Sequence, residues 1–283
     1  MASTDVVPLT PLSAGDVAGC MALSAEAGWN QMAEDWTVFL DRGIVFGLRE
    51  AGNRPAATGA ILPYGDAFAW ISMVLVTASR RRARIGTGIL QACCAELARR
   101  GRVGVLDATP AGERVYRPLG FEPMFALSRW QGEGGGHGSG AMSGPMRPMT
   151  ESDLAAMAAT DAAAFGADRA FLLRSFFHRA PQCAFTTQSR DGFVLARPGR
   201  IATQIGPVVA DDEAVALALV KAALAAARGP VFLDVADRWQ GLADFLRRRA
   251  FTVQRPFLRM ALRRRDPFGD PARSFAVAGP EFG

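Results

Sequence analysis

The sequence predicts an α/β chain built as two units of one plan, on three observations. At 283 residues, with 49% hydrophobic and 21% charged residues, it has the size and balance of two ordinary globular domains. It repeats itself: Leu9-Thr10-Pro11-Leu12-Ser13-Ala14-Gly15-Asp16-Val17-Ala18 matches Met146-Arg147-Pro148-Met149-Thr150-Glu151-Ser152-Asp153-Leu154-Ala155 without a gap. A second echo sets Leu119-Gly120-Phe121 against Arg249-Ala250-Phe251, each preceded by an apolar run ending in Leu-Asp, at Asp107 and at Asp234. Within the first half, runs of strand pattern precede alternating helix and strand, which predicts a mixed sheet with helices on both faces.

Taken in order, each copy of the repeat reads as a short strand, a helix cap at Ser13 or Thr150, and the start of a helix. The first half continues with helices over 16–27 and 32–42, then strands over 44–50, 56–63 and 70–76, with Asn53 and Gly65 in the turns. An amphipathic helix follows, opened by Gly86 and Gly88, with Ile89, Leu90, Cys93 and Leu97 on one face and Arg99, Arg100 and Gly101 at its end. A strand over 103–106 and a helix over 111–119 complete the half. Residues 131–145, QGEGGGHGSGAMSGP, have the composition of a flexible linker. The expected units are therefore 1–130 and 146–265, with a tail at 266–283 that folds back on the first unit or stays loose. His137 falls in the linker, which argues against a catalytic role.

Several function classes are disfavoured. Cys20, Cys93, Cys94 and Cys183 form no CxxC pair, and only His137 and His178 add imidazoles, so neither a metal site nor a disulfide framework is expected. The first residues contain Asp5 and no long apolar run, and no apolar stretch approaches the roughly 20 residues that cross a bilayer, so the expectation is a cytoplasmic protein with no membrane partner. The net charge of +5 sits in short arginine runs without interleaved aromatics, which makes nucleic acid the minor reading.

The segment from Val74 through Leu90 carries the chemistry: a buried strand, an arginine-dense turn and a glycine-opened helix. Unpaired amides at the helix start and its dipole favour an anion, small residues let a diphosphate approach, and arginines add bidentate contacts. This segment resembles motif A of the GNAT (GCN5-related N-acetyltransferase) superfamily, written Gln/Arg-x-x-Gly-x-Gly/Ala. Gly86 and Gly88 match, while Ala83 and Arg84 depart from the usual residues. Downstream, Leu106-Asp107-Ala108-Thr109-Pro110-Ala111-Gly112 with Tyr116-Arg117-Pro118-Leu119-Gly120-Phe121 resembles the family's motif B. Gly28-Trp29-Asn30-Gln31, with Asp35-Trp36, is similar to a tandem subgroup with a diverged second domain.

The resemblance implies two tandem domains, each a mixed, mostly antiparallel sheet flanked by helices, and an N-acyltransferase that uses acetyl-CoA as co-substrate without a metal. It places the donor on Val74, Leu75, Val76, Arg81, Arg82, Ala83, Arg84, Ile85, Gly86, Thr87, Gly88 and Thr109. Tyr116 is the expected general acid, since a phenol near the thioester sulfur can protonate the leaving thiolate; packing beside Phe121 is its plainer reading. Asp35 or Asp107 could take the amine proton. Trp29, Asn30 and Gln31 are expected as pocket walls for a small-molecule amine, and Asp168 and Arg169 read as acceptor contacts, as an internal ion pair or as surface charges.

The second half reads as non-catalytic. Leu246 stands where Tyr116 stands in the first, and its central strand leads into Ala210-Asp211-Asp212-Glu213, which caps a helix but repels a diphosphate. Two other classes stay open, an acyl-CoA-binding sensor without turnover and a basic nucleic-acid- or protein-modifying factor, and a homodimer is compatible with the sequence.

Overall fold

A computed structural model describes residues 9–50, 52–135 and 146–283, and the chain divides into two compact units, Met1–Leu106 and Asp107–Gly283. The first unit runs β1 (Thr10–Pro11), α1 (Val17–Glu26), α2 (Ala33–Arg42), β2 (Ile44–Arg49), β3 (Pro55–Tyr64), β4 (Phe68–Val76), α3 (Ile85–Arg99) and β5 (Val103–Ala108). The strands lie side by side in chain order. All neighbours are antiparallel except β4 and β5. β3 reads as an almost unbroken apolar run because both its faces are covered. The α3 face foreseen from periodicity, Ile85, Ile89, Leu90, Cys93 and Leu97, is buried. A Cβ at Gly59 on β3 would lie 2.2 Å from the Ile89 side chain, so glycine there sets how closely α3 approaches the sheet.

The second unit continues with α4 (Pro110–Tyr116), β6 (Phe121–Gly134), β7 (Met146–Pro148), α5 (Leu154–Phe165), α6 (Ala170–Arg179), β8 (Phe185–Thr187), β9 (Phe193–Arg197), β10 (Thr203–Val209), α7 (Glu213–Ala226), β11 (Gly229–Ala236), α8 (Gln240–Arg248), β12 (Thr252–Leu262) and β13 (Ser274–Ala276). Its strand order is β12-β6-β11-β13-β10-β9-β8-β7, with β10 and β11 also paired directly and in parallel. From β7 to β12 the elements reproduce the series from β1 to β6 one for one. The repeat extends to detail. Gly120 and Ala250 both adopt left-handed backbone, with φ of 93° and 60°.

The matched helix starts are capped alike. The Asp16 carboxylate accepts the Ser13 amide at 2.8 Å and is held by Arg49 at 2.7 Å. The Asp153 carboxylate accepts the Thr150 amide at 2.9 Å and is held by Arg147 at 2.7 Å and Arg190 at 3.0 Å. The aspartate side chain, with the Ser13 or Thr150 backbone, is therefore the working half of each cap. Arg147 above all, then the Thr150 amide and hydroxyl, holds the Asp153 carboxyl well below the usual carboxylate range. A carboxyl depressed in the folded state stabilises fully above its unfolded value of about 4 and loses that contribution as pH falls toward its folded value. Asp153→Asn is thus expected to lower the melting temperature at pH 7 and to narrow its gap to wild type between about pH 4 and pH 2, as read by thermal melts across pH.

Two boundaries differ from the sequence expectation. Residues 131–134, assigned to the linker, complete β6, pairing with β11 from Gly229↔Gly134 to Phe232↔Gln131, and Gln131 also pairs with Thr252 of β12. Their glycines serve close approach: a Cβ at Gly132 would lie 2.5 Å from the Phe251 ring, and one at Gly134 2.9 Å from Ala227. Because β6 pairs with β11 and β12, the compact division falls after Leu106. The rest of the expected linker, 136–145 with His137, lies outside the described residues.

The tail is the second difference, since it packs within the second unit. β13 pairs antiparallel with β10 at Val208↔Ala276 and with β11 at Val235↔Ala276. Phe275, Ala276, Val277, Ala278 and Phe282 are buried. Trp239 stacks on Phe275 at 4.0 Å and its indole N–H donates to the Ser274 carbonyl at 2.8 Å. Arg197, fully buried, forms an ion pair with Glu281.

Candidate active site

In the first unit β4 and β5 pair only from Phe68↔Val103 to Trp70↔Val105. Among the described residues, the β5-facing edge of β4 beyond Trp70 has no strand partner within its unit. The divergence coincides with a bulge: Thr58 pairs with Leu75 but Ala60 with Ser72, so β4 carries one extra residue. Met73 at the bulge has φ 53°, and its carbonyl accepts the buried Thr58 hydroxyl at 2.8 Å. Along this edge Leu75 is buried while Val74 and Val76 are half-buried.

After Val76 comes the arginine turn. Arg82 and Arg84 both take left-handed backbone, with φ of 67° and 57°. For non-glycine residues each such position costs roughly 1–2 kcal/mol, a strain that concentrates at functional sites. Arg84 is the N-cap of α3 and makes no side-chain cap hydrogen bond, so among the described residues the cap position leaves the first amides of the helix to another acceptor. Arg81, Arg82, Ala83 and Arg84 are exposed, Ile85 is buried, and Gly86, Thr87 and Gly88 are half-buried in the first turn. The Arg81 Nε donates back to the Val76 carbonyl at 3.1 Å. A Cβ at Gly86 would sit 3.8 Å from Val76 and 3.9 Å from Val74, so the bare glycine keeps the exposed side of β4 open beside the helix start.

The sequence reading missed Glu26. Its carboxylate at the end of α1 accepts the Ala78 amide at 2.6 Å and the Thr77 hydroxyl at 2.9 Å, tying α1 to the start of the turn. Those bonds, the amide first, hold its carboxyl below the ordinary range. Trp29, Asn30 and Gln31 follow within five residues, in the connection from α1 to α2; Asn30 and Gln31 are buried and Trp29 is half-buried. No local pattern pairs residue 26 with residue 78, which is why only the structure reveals the clasp.

In the second unit the motif B residues cluster on α4. The Thr109 hydroxyl accepts the Gly112 amide at 3.1 Å, so the residue expected to touch the donor spends that oxygen as a helix cap. The half-buried Tyr116 ring packs 5.9 Å from Phe121 and lies over Gly112, where a Cβ would come within 2.9 Å of it. The ring thus makes the packing contact with Phe121 that the plainer reading expects.

Neither carboxylate considered as a base is accessible. Asp35 is fully buried and accepts the Met32 amide at 2.8 Å, which makes it the cap of α2. The Asp107 side chain is fully covered and chelated by Arg259 at 2.8 and 2.9 Å. Burial pushes its carboxyl upward and Arg259 opposes that shift. The pair Asp168 and Arg169 also resolves as structural: Asp168 caps α6 through the Ala170 amide at 2.7 Å. Arg169 is buried, grips Asp161 at 2.7 and 3.0 Å and stacks 3.8 Å from the Phe165 ring. Cysteine chemistry is disfavoured as well, since burial pushes the Cys20 thiol up to about 12 and Cys94 to about 11.

The equivalent region of the second unit is spent on packing. Asp212 caps α7 by accepting the Val215 amide at 2.9 Å, and Glu213 accepts the Leu242 amide at 2.9 Å, both where the first unit has its arginine turn. Leu246 is fully buried. β10 and β11 pair only from Thr203↔Val231 to Ile205↔Leu233 and then diverge as β4 and β5 do, but β13 fills the gap.

The profile of the acetyltransferase (GNAT) family matches residues 17–121, and that of an acetyltransferase (GNAT) domain matches residues 157–275. The chain belongs to the GNAT superfamily of acyl-CoA-dependent N-acyltransferases and carries two such domains in tandem. It is 23% identical over 248 residues, 86% of this chain and 87% of the relative, to YitH of Bacillus subtilis (strain 168), described as an uncharacterized N-acetyltransferase. A Pyrococcus horikoshii protein described as a candidate acetyltransferase superposes with a TM-score of 0.79 at 18% identity, over 100% of this chain and 98% of that one. A tandem GNAT protein from the clavulanic acid biosynthesis pathway superposes with a TM-score of 0.58 at 17% identity, over 93% and 98% of the two chains. Among the described residues no helix is long and apolar enough to cross a membrane.

Proposed function

We propose that the chain transfers the acetyl group of acetyl-CoA to a primary amine of a small molecule within a ternary complex, and that the donor is held by the first unit alone. The observation that carries this is the continuity of three features there: the unpartnered edge of β4, the strained arginine turn, and the uncapped start of α3. Strand amides along Val74–Val76 orient the pantetheine arm and polarise the thioester carbonyl, helix amides and arginines hold the diphosphate, and Gly86 leaves room between them.

In the reaction the neutral amine nitrogen attacks the thioester carbonyl carbon, and the tetrahedral oxyanion collapses with loss of the C–S bond. Tyr116 gives its phenolic proton to the departing thiolate. The proton displaced from the amine leaves through water, since the carboxylates of Asp35 and Asp107 are both covered and bonded. No enzyme-bound acyl intermediate is needed, in keeping with the raised thiols. The test is release of free thiol from acetyl-CoA across a panel of primary amines, with one acylated amine found per thiol released. Donor binding without thiol release from any amine would make the chain a sensor of acyl-CoA instead.

A further inference from the structure

The sheet face of the second unit formed by β12, β6 and β11 holds more arginine than carboxylate answers. In the antiparallel register Arg255 on β12 lies opposite Arg129 on β6, and Arg129 lies opposite Asp234 on β11, so the three side chains share one face. Arg129 is buried and satisfied: Asp234 accepts it at 2.9 and 2.8 Å and also accepts the Gln204 amide at 3.0 Å. Farther along β12, Arg259 is satisfied by Asp107. Phe257 lies between the two β12 arginines, and Phe125 lies 5.0 Å from Arg259 and 5.2 Å from Arg238.

Arg255 is the exception. It is half-buried, its one hydrogen bond goes to the neighbouring Gln254 side chain at 3.2 Å, and its guanidinium stands 6.0 Å from the Phe257 ring. Among the described residues no carboxylate forms an ion pair with it. A like charge directly across a strand pair destabilises the sheet, and partial burial adds a desolvation cost. Burial, then Arg129, accordingly pulls Arg255 below its ordinary value, with Asp234 opposing. An oxyanion at this place relieves both costs, because the guanidinium fork matches a carboxylate or phosphate edge with two parallel hydrogen bonds.

We propose that Arg255, with Arg129 behind it, forms a binding site for a small oxyanion, the carboxylate or phosphate group of an organic ligand, on the β12–β6 face of the second unit. The site is independent of the acyl-transfer reading, since it uses no residue assigned to that reaction.

The experiment is thermal unfolding and calorimetric titration of the full chain with inorganic phosphate and, separately, with acetate, at ionic strength held constant with chloride. Wild type is compared with Arg255→Met and with Arg248→Met, an exposed arginine at the end of α8. Anion bound at the arginine turn of the first unit contributes equally to all three proteins, so the difference between them reads this site alone. Arg255→Met is expected to melt above wild type in chloride, because the like-charge opposition is gone. It is also expected to lose the part of the anion-induced rise that Arg248→Met retains, with about tenfold weaker binding or more. A response to phosphate alone assigns a phosphoryl ligand, and a response to acetate assigns a carboxylate. An anion response in Arg255→Met equal to that of wild type, or no response in wild type beyond chloride, overturns the proposal.

Discussion

Tyr116→Phe is expected to lower kcat by about 10²–10³ while leaving acetyl-CoA affinity within about twofold, because a positioned proton donor acts on the leaving group and not on ground-state binding. The ring contacts over Gly112 and beside Phe121 are ones that phenylalanine keeps, and a thermal melt beside wild type checks that the variant is folded. Parallel assays of thiol release and donor calorimetry separate the two parameters. If kcat is unchanged, the thiolate takes its proton from elsewhere and Tyr116 is only a packing residue of α4. If donor affinity falls with kcat, the phenol belongs to the binding surface.

Removal of residues 274–283 is expected to cost the second unit most of its stability. The deletion strips Phe275 and Phe282 from full burial, together with Ala276, Val277 and Ala278. Each phenylalanine contributes about 1.5–3 kcal/mol by burial. It also removes the Glu281 ion pair and the Phe282 ring from Arg197. Together these approach the whole stability of an ordinary domain, about 5–15 kcal/mol. The shortened chain should therefore show a lost or strongly lowered melting transition, and Glu281→Gln a smaller loss in the same direction. A shortened chain that melts within a degree or two of wild type would mean that β13 lies on the sheet without supporting it.

The duplicated plan was legible because it is written in local pattern. The matched openings near Asp16 and Asp153, the turn residues Asn53 and Gly65, and the buried face of α3 fall where periodicity and capping place them. The arginine turn between β4 and α3 was legible as a turn because the apolar strand pattern stops before it and the glycine-opened helix pattern begins after it. What escaped depends on partners distant in sequence. Asp107 and Arg259 are 152 positions apart, and Glu26 and Ala78 are 52 apart, so no window reveals either bond. The glycines of residues 131–134 misled for a related reason: composition marks them as linker, while the Phe251 ring packed against Gly132 makes them part of a strand. Asp35 and Asp107 looked like candidate bases because a lone carboxylate in sequence cannot show whether it is capping a helix or gripping an arginine.

The central claim is that one donor is held, at the β4 edge and arginine turn of the first unit, while β13 closes the matching gap of the second. The most direct measurement is calorimetric titration of acetyl-CoA into wild type and into Gly86→Leu. A Cβ at residue 86 meets only ordinary contacts with Val74 and Val76, and leucine favours a helix over glycine by roughly 0.8 kcal/mol, so the variant should fold. Its side chain would cover the edge where the pantetheine arm is placed. One acetyl-CoA per wild-type chain, with no binding to a fully folded Gly86→Leu, is the expected result; two per chain, none at all, or undiminished binding to the variant would contradict it.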